Sequence, residues 1–154
     1  MSEAVERSFN FRRIDERLTT SGLVPPDALA ELGRDGVDAV IDLLPATADH
    51  AVAGEAEIVA GQGIDYVAIP VDYQAPTHAD FDAFVRAMDE RDGQRVHVHC
   101  AANYRVSAFY ALYAERSGRW TRERADAFVA ELWNPTDYPP WPEFIADERS
   151  RFDS

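Results

Sequence analysis

The chain has 154 residues, 46% of them hydrophobic, so we expect one compact domain over residues 1–154. Its formal net charge of −13 argues against nucleic acids and anionic membrane surfaces as partners. No run approaches the roughly 20 apolar residues that span a bilayer, and the N-terminus lacks the apolar core of a signal peptide. A single cysteine cannot form an internal disulfide, so we expect a protein of the reducing cytoplasm.

Strand and helix patterns alternate along the first half of the chain. Two prolines and later glycines predict a short helix over residues 25–36, and residues 37–44 follow it as a buried strand. A short helix around residues 54–63 precedes a second strand, residues 64–71, which is rich in β-branched and aromatic residues. The polar, proline-containing segment that follows predicts a loop ending at Thr77, which caps the next helix.

Three helices in the second half each carry an apolar stripe at helical spacing, and we expect these stripes to form the core. Their residues are Phe81, Phe84, Val85 and Met88, then Val106, Phe109, Tyr110 and Tyr113, then Ala125, Phe128, Val129 and Leu132. In the proline-rich residues 133–144, we expect Trp133, Tyr138 and Trp141 to hold a C-terminal segment against the body. Alternating strands and helices predict a single three-layer α/β domain with a central, mainly parallel sheet of about four to five strands flanked by helices.

The segment VHVHCAANYRVSAF, residues 96–109, begins as a strand, ends as a helix and places Cys100 at the turn between them. In open α/β sheets, ligands bind beyond the carboxyl ends of strands, where helix N-termini offer free N–H groups and the positive end of a dipole. Such a position favours the thiolate form of a cysteine and binds an anion in front of it. Cys100 is therefore a candidate nucleophile at an anion-binding loop.

The residues after this cysteine suit such a task. No proline removes an N–H group, the two alanines crowd nothing, and Asn103 tolerates a positive φ better than most residues. Arg105 can clamp a phosphoryl or sulfuryl group through bidentate, permanently charged hydrogen bonds. The predicted anion-binding residues are Ala101, Ala102, Asn103, Tyr104 and Arg105.

Two plainer interpretations compete with this one. Cys100 can be a small buried cysteine at a strand end beside a surface arginine, since lone cysteines are commonly just that. A metal site built from His97, His99 and Cys100 is a weaker alternative, because strand alternation sends the two histidines to one face and the cysteine to the other. We expect neither a metal nor another cofactor.

These residues resemble the active-site loop of the cysteine-dependent protein tyrosine phosphatase superfamily, and the chain is similar to its small, dual-specificity-like bacterial members. In that family a His-Cys pair, five residues, Arg and Ser or Thr lie between the last central strand and a helix; here the pair is His99 and Cys100, and the hydroxyl is Ser107. Residues 20–43 resemble the family's opening helix and strand, and residues 69–84 its general-acid loop and following helix. The resemblance implies a dual-specificity-phosphatase-like fold.

The resemblance also implies roles for these residues. Cys100 attacks phosphorus to form a phosphocysteine, while the loop N–H groups and Arg105 hold the equatorial oxygens. Ser107 stabilises the thiolate as it leaves, and His99 helps to set the environment of the cysteine. The partners implied are phosphorylated small molecules or phosphoproteins, and no metal is needed because the arginine and the N–H groups carry the charge.

The general acid implied by the resemblance is Asp72, which protonates the leaving oxygen and then activates water. A carboxyl group in a mobile loop suits this role, since such proton transfer contributes about 10²- to 10⁴-fold. Asp72 can instead merely start a turn, in which case Asp80 or Asp82 can serve.

The spacing of the motif departs from the family pattern, because four residues rather than five separate Cys100 from Arg105. In one alignment Asn103 replaces the usual loop glycine, Ser107 keeps its place and Val106 occupies the arginine position. A one-residue shift turns a helical side chain by about 100°, so the arginine then needs another route to the anion. In the other alignment the loop is one residue shorter, the arginine is in place and the serine shifts. We favour the first, which keeps two matches rather than one.

Four intervening residues also occur in rhodanese-like sulfurtransferases, in which Cys100 would carry a persulfide. A third interpretation is a catalytically weak or inactive phosphatase-like domain that binds phosphate or a phosphorylated partner. The histidine before the cysteine and the IPVD segment upstream favour the phosphatase family. The sequence therefore predicts a cysteine-dependent phosphatase acting on phosphate monoesters.

Overall fold

The computed structural model describes residues 3–49 and 51–153, and its centre is a five-stranded sheet in the order β1-β2-β5-β3-β4. Only the β1-β2 pair is antiparallel, and the other three pairs are parallel. The predicted α/β fold with a mainly parallel sheet is therefore confirmed. The strands are β1 (Arg12–Arg13), β2 (Leu18–Ser21), β3 (Ala39–Asp42), β4 (Asp65–Ala68) and β5 (Val96–His99).

Seven α-helices and one 3-10 turn in the described ranges connect or follow these strands. They are α1 (Glu3–Glu6), α2 (Pro26–Leu29), α3 (Glu55–Ala60), α4 (His78–Glu90), α5 (Tyr104–Arg116), α6 (Arg122–Leu132), the 3-10 turn Pro135–Asp137 and α7 (Trp141–Asp153). None of these helices combines the length and the apolar character needed to cross a membrane.

Several elements are shorter than the sequence pattern predicts, among them the strand expected over residues 64–71, which spans Asp65–Ala68. The helix expected over residues 25–36 ends at Leu29 and continues as turns, the last of which needs Gly36 at a φ of 82°. The strand expected over residues 37–44 ends at Asp42, whose side chain accepts a hydrogen bond from the N–H of Leu44 at 2.9 Å. Local side-chain hydrogen bonds of this kind compete with the sheet, and apolar periodicity does not reveal them.

Each face of the sheet is covered by an apolar layer. On one face, the stripes predicted for α4, α5 and α6 pack with α7 against the sheet around residues such as Ile41 and Val98. On the other face, α2 and α3 pack against Val40 through Leu29 and Val59. The predicted three layers are therefore present, with Val85 and Leu132 half-buried at the edges of their stripes.

The parallel pairing brings the carboxyl ends of the three central strands to one edge of the sheet. Ser21 of β2 and Asp42 of β3 both lie opposite His99, the last residue of β5. The segments that leave these strands therefore meet around the residue that follows, Cys100. This edge is where ligands bind in open α/β sheets.

Candidate active site

The loop between β5 and α5 has the predicted strand–turn–helix geometry. Cys100 is only 1% exposed, and its N–H donates to the carbonyl of Ser21 at 3.3 Å. Asn103 adopts the left-handed conformation, with φ 68° and ψ 12°, and α5 begins at the next residue. Asparagine enters this region more readily than other non-glycine residues, because its short polar side chain forms local hydrogen bonds.

Hydrogen bonds tie the carbonyl groups of this loop to the N-terminal third of the chain. The Ala101 carbonyl accepts from the N–H of Leu23 at 2.9 Å, and the Ala102 carbonyl accepts from the Asn10 side chain at 3.0 Å. The Asn103 side chain in turn donates to the Asn10 carbonyl at 2.9 Å and to Thr20 Oγ1 at 3.0 Å. The two asparagines therefore clamp the loop reciprocally.

The N–H groups of the loop are left free by this arrangement. Within the described ranges, no protein acceptor binds the main-chain N–H groups of residues 101–106, and the first helical bond of α5 runs from Ser107 to Asn103 at 3.0 Å. Consecutive free N–H groups at the start of a helix of 13 residues form an anion-binding nest. The loop can therefore bind an oxyanion next to Cys100.

Arg105 lies in the first turn of α5, and its side chain is half-buried. Its guanidinium carbon lies 5.1 Å from the centre of the Tyr73 ring, and its buried Nε has no hydrogen-bond partner in the described residues. The next residue, Val106, is fully buried in the core. The arginine therefore extends towards the loop that follows β4, and valine fills the position one residue later.

Ser107 is buried, and its hydroxyl joins α5 to the C-terminal part of the chain. The hydroxyl donates to the Tyr104 carbonyl at 2.9 Å and accepts from the Trp133 indole N–H, also at 2.9 Å. A hydroxyl has one proton, so Ser107 can donate to a thiolate only after it gives up its bond to Tyr104.

His99 is fully buried and forms an ion pair with Glu55, while its Nδ1 lies 3.8 Å from an Asp42 carboxylate oxygen and 3.5 Å from the Cys100 carbonyl. Burial lowers the pKa of His99, but the hydrogen bond to Glu55 and the charges of both carboxylates outweigh it, so that the pKa lies above its usual value. Buried carboxylates thus fix His99 beside the Cys100 carbonyl and favour the charged form of its ring.

The His99 cluster also has the spacing of a metal site, since His99, Asp42 and Glu55 offer ligand atoms within 4.8 Å of one another. Hydrogen bonds already engage these atoms, however. Asp42 accepts from Tyr66 at 2.6 Å and from the N–H of Leu44, and Glu55 binds the histidine itself. These bonds account for the cluster without a cation.

His97 lies on the same sheet face as His99, with the two rings stacked 6.1 Å apart, whereas Cys100 belongs to the core layer on the opposite face. The ring nitrogens of His97 form hydrogen bonds with Thr19 Oγ1 at 2.7 Å and with Ser21 Oγ at 2.9 Å. Burial, and then the charge of His99, lower the pKa of His97 to about 3, so this histidine is neutral at physiological pH. The three residues do not converge on one point, as the alternation of the strand predicts.

The three candidate general acids occupy different environments. Asp72 is exposed in the loop after β4, and one of its oxygens accepts from the N–H of Gln74 at 2.9 Å. Asp80 forms a capping box with Thr77 at the start of α4, and Asp82 pairs with Arg151 at 3.1 Å. Within residues 3–49 and 51–153, Asp72 is therefore the only one of these three that neither caps a helix nor forms an ion pair.

Five aromatic residues form a continuous cluster beside the loop, which we call the aromatic cluster. Its members are Tyr73, Tyr104, Trp133, Tyr138 and Trp141. Tyr104 stacks on Trp133 with the ring centres 4.9 Å apart, and the Trp141 indole donates to the Tyr73 carbonyl at 2.9 Å. The C-terminal aromatic residues therefore hold the C-terminal segment against the body, as predicted, and they also position two tyrosines next to Arg105.

Several residues that shape the site were not anticipated from the sequence, namely Asn10, Gly22, Asp42, Glu55 and Tyr73. An acidic residue inside the apolar segment VIDLL was the one visible signal, because a buried carboxylate needs a partner. The others become significant only through contacts between distant parts of the chain.

The fold and the loop together define a dual-specificity-like, cysteine-dependent phosphatase domain. Residues 21–118 match the family model Tc-R-P, described as a polymorphic toxin system DSP-PTPase phosphatase. The chain belongs to this family.

The chain is similar to several known proteins. A DUF442 protein of Shewanella putrefaciens CN-32 has a crystal structure 35% identical in sequence, with a TM-score of 0.87 and 97% of each chain covered. The Beta-lactamase hydrolase-like protein of Xylella fastidiosa strain Temecula1 is 34% identical over 74% of this chain, which spans only 27% of that protein. PTPMT1, crystallised with PI(5)P, shares the fold at 21% identity, with a TM-score of 0.71 and coverage of 93% of this chain and 96% of its own.

Proposed function

We propose that the chain hydrolyses phosphate monoesters with Cys100 as the nucleophile. The observation that carries this proposal is the loop itself, in which Cys100 at the carboxyl end of β5 is followed by N–H groups of residues 101–106 that no described residue binds, and by Arg105 in the first turn of α5. The proximity of Arg105 to the loop after β4 supports the alignment with a loop one residue shorter than the family pattern. In this alignment Arg105 binds the phosphoryl oxygens, and the Ser107 hydroxyl accepts a hydrogen bond from the Trp133 indole.

The reaction takes place in two steps. The thiolate of Cys100 attacks phosphorus and forms an S–P bond, the bond to the leaving oxygen breaks, and Asp72 gives that oxygen its proton. Water then attacks phosphorus and passes a proton to Asp72, the S–P bond breaks, and phosphate leaves with the thiolate restored. The loop N–H groups and Arg105 bind the equatorial oxygens, whose charge they stabilise in both transition states. His99 keeps the cysteine carbonyl in place.

The substrate class is a phosphorylated small molecule or a phosphoprotein. PI(5)P bound to PTPMT1 is one example of a phosphorylated ligand on this fold. The negative net charge of the chain means that attraction of such an anion is local to the loop rather than spread over the surface.

Two other functions are each supported by particular features of the loop. The four-residue spacing between Cys100 and Arg105 supports a sulfurtransferase, in which the cysteine takes a sulfur atom from thiosulfate, sulfite leaves, and an acceptor thiol or cyanide takes up the sulfur. The near-complete burial of the cysteine and the engaged hydroxyl of Ser107 support a domain that binds phosphate without turnover.

Hydrolysis of p-nitrophenyl phosphate by the purified chain tests the proposal. We expect turnover between pH 5 and 8, loss of it to background in Cys100→Ser, and retained tungstate binding in that variant. Arg105→Lys keeps the charge but loses the bidentate clamp, and we expect kcat/KM to fall about 10²-fold, the effect of removing one oxyanion donor.

Arg116→Lys, on the exposed end of the same helix, is the matched control and should react like the wild type. Tungstate binding without any turnover would replace the hydrolase by a binding domain. Sulfur transfer from thiosulfate, lost in Cys100→Ser, would replace it by a sulfurtransferase.

A further inference from the structure

Two neighbouring side chains beside the loop each carry a buried polar atom without a hydrogen-bond partner in the described residues. These atoms are the hydroxyl oxygen of Tyr73 and Nε of Arg105. The two side chains touch, since the guanidinium carbon lies 5.1 Å from the centre of the tyrosine ring. A buried donor without an acceptor is costly, so two such donors on adjacent side chains indicate that a ligand supplies the acceptor.

The Tyr73 phenol interacts electrostatically with Cys100 as well as with Arg105. Burial, followed by smaller effects of Tyr138, Tyr104 and the cysteine, raises the pKa of Tyr73 to about 12, although the arginine opposes this increase. The phenol is therefore protonated at physiological pH and can donate a hydrogen bond. Its side chain also packs against the core layer that contains the cysteine.

The aromatic cluster fixes the position of the Tyr73 side chain. The Trp141 indole binds the Tyr73 carbonyl at 2.9 Å, and the rings of Trp133, Trp141 and Tyr138 lie 6.3, 6.0 and 5.7 Å from the Tyr73 ring. A side chain held in this way loses little conformational freedom when it binds a ligand. The ring also gives the arginine a flat surface on which a guanidinium stacks favourably.

We propose that Tyr73 is a further substrate-binding residue, whose hydroxyl donates a hydrogen bond to an oxygen of the phosphoryl group held over Cys100. Nε of Arg105 donates to the same phosphoryl group, while the guanidinium stacks over the tyrosine ring. This inference rests on the proposed function. A merely structural tyrosine would contribute through its ring alone, so removal of the hydroxyl separates the two roles.

The test compares Tyr73→Phe with the wild type in tungstate binding by calorimetry and in hydrolysis of p-nitrophenyl phosphate. We expect Tyr73→Phe, which keeps the ring, to bind tungstate about tenfold more weakly and to lose a similar factor in kcat/KM, as for one hydrogen bond to a charged group. Tyr73→Leu, which also removes the stacking surface, should lose more. Tyr113→Phe is the matched control, because its hydroxyl bonds to Asp89 and not to the site, and it should stay within about twofold of the wild type.

Unchanged tungstate affinity in Tyr73→Phe would overturn the inference and leave the proposed function intact. A wild-type chain that neither binds tungstate nor hydrolyses the ester would overturn both. If Tyr73→Phe does not fold, the full chain labelled with 3-fluorotyrosine at position 73 tests the inference instead. Its ¹⁹F signal should shift when tungstate binds, whereas the signal of 3-fluorotyrosine at Tyr113, which bonds to Asp89, should not; no shift at position 73 would also overturn the inference.

Discussion

Among single residues, Asp72 can be changed with little effect on its surroundings. One carboxylate oxygen accepts from the N–H of Gln74, and asparagine at the same position can keep that bond through its amide oxygen. Asp72→Asn therefore removes the proton donor but preserves the turn. We expect hydrolysis of alkyl phosphates, whose leaving oxygen needs a proton, to slow by about 10²-fold or more, and that of p-nitrophenyl phosphate to slow much less.

The pH profile of kcat/KM provides the check on this assignment. Loss of a required acid should remove the decline of activity towards high pH, so the Asp72→Asn profile should be flat there. Asp82→Asn, which breaks the pair with Arg151, and Asp80→Asn, at the start of α4, are the comparisons. If one of these two shows the leaving-group dependence instead, the general acid is that residue and not Asp72.

Asn103 illustrates how far a single residue can be interpreted from the sequence. Its tolerance of a positive φ was predicted, and the structure confirms a φ of 68°. Its side-chain bonds to Asn10 and Thr20 were not predicted, because they join residues 93 and 83 positions apart. Local backbone preference is encoded within a few residues, whereas the partner of a side chain depends on the whole fold.

At the scale of elements, the end of β2 acts as a support for the cysteine loop. Gly22 follows β2 directly, and a Cβ atom at this position would lie 2.5 Å from the Ala101 carbonyl oxygen and 2.8 Å from the Ala102 Cα. Both are main-chain atoms that no rotamer change can move. The glycine is therefore required by the close approach of the loop, and not by its backbone conformation.

Gly22→Ala should displace the loop without unfolding the chain. We expect the free energy of unfolding to fall by about 1–3 kcal/mol, as for overpacking at a buried site. The effect on catalysis should be larger: kcat/KM should fall about 10²-fold, because a displacement of about 1 Å in a binding group lowers the rate by about this factor. Thermal unfolding and p-nitrophenyl phosphate hydrolysis measure the two effects.

Gly33→Ala is the control for Gly22→Ala. A Cβ atom there would lie 2.9 Å from the end of the Gln62 side chain, which can turn away. The kcat/KM of Gly33→Ala should equal that of the wild type. Wild-type kcat/KM in Gly22→Ala would show that the loop does not depend on this contact.

The elements themselves were predicted better than their ends. Apolar periodicity located α4, α5 and α6, because each has to bury one face, and runs of apolar, β-branched and aromatic residues located β3, β4 and β5. The periodicity could not show that Asp42 ends β3 through its side chain, or that Glu55 at the start of α3 reaches His99. Polar residues buried by tertiary contacts have no periodic signal.

For the whole molecule, the two neighbouring histidines of β5 predict opposite dependences of stability on pH. The pKa of His97 is lowered to about 3 in the folded state, against about 6.5 in the unfolded chain. Below about pH 6.5 the unfolded state therefore binds a proton that the folded state refuses. The stability associated with His97 is present above about 6.5 and is lost as the pH falls towards about 3.

His99 has the opposite sign, because its pKa is raised: burial lowers it, but Glu55 and Asp42 outweigh the burial. Its stabilising contribution is complete below about pH 6.5 and is lost as the pH rises through the folded-state value. Each histidine changes the free energy of unfolding by at most about 1.4 kcal/mol per pH unit within its own range. Together they favour maximal stability near the usual histidine pKa.

Urea unfolding between pH 4.5 and 9 separates the two contributions. Glu55→Gln should reduce the alkaline decline in the free energy of unfolding, because His99 loses its hydrogen-bonded carboxylate and keeps only Asp42, while Glu57→Gln on the exposed side of α3 should leave the decline unchanged. Glutamine at position 97 can keep the hydrogen bonds to Thr19 and Ser21 but does not titrate. His97→Gln should therefore reduce only the loss of unfolding free energy at acid pH. An alkaline decline of equal slope in Glu55→Gln and the wild type would show that His99 does not gain its proton on folding.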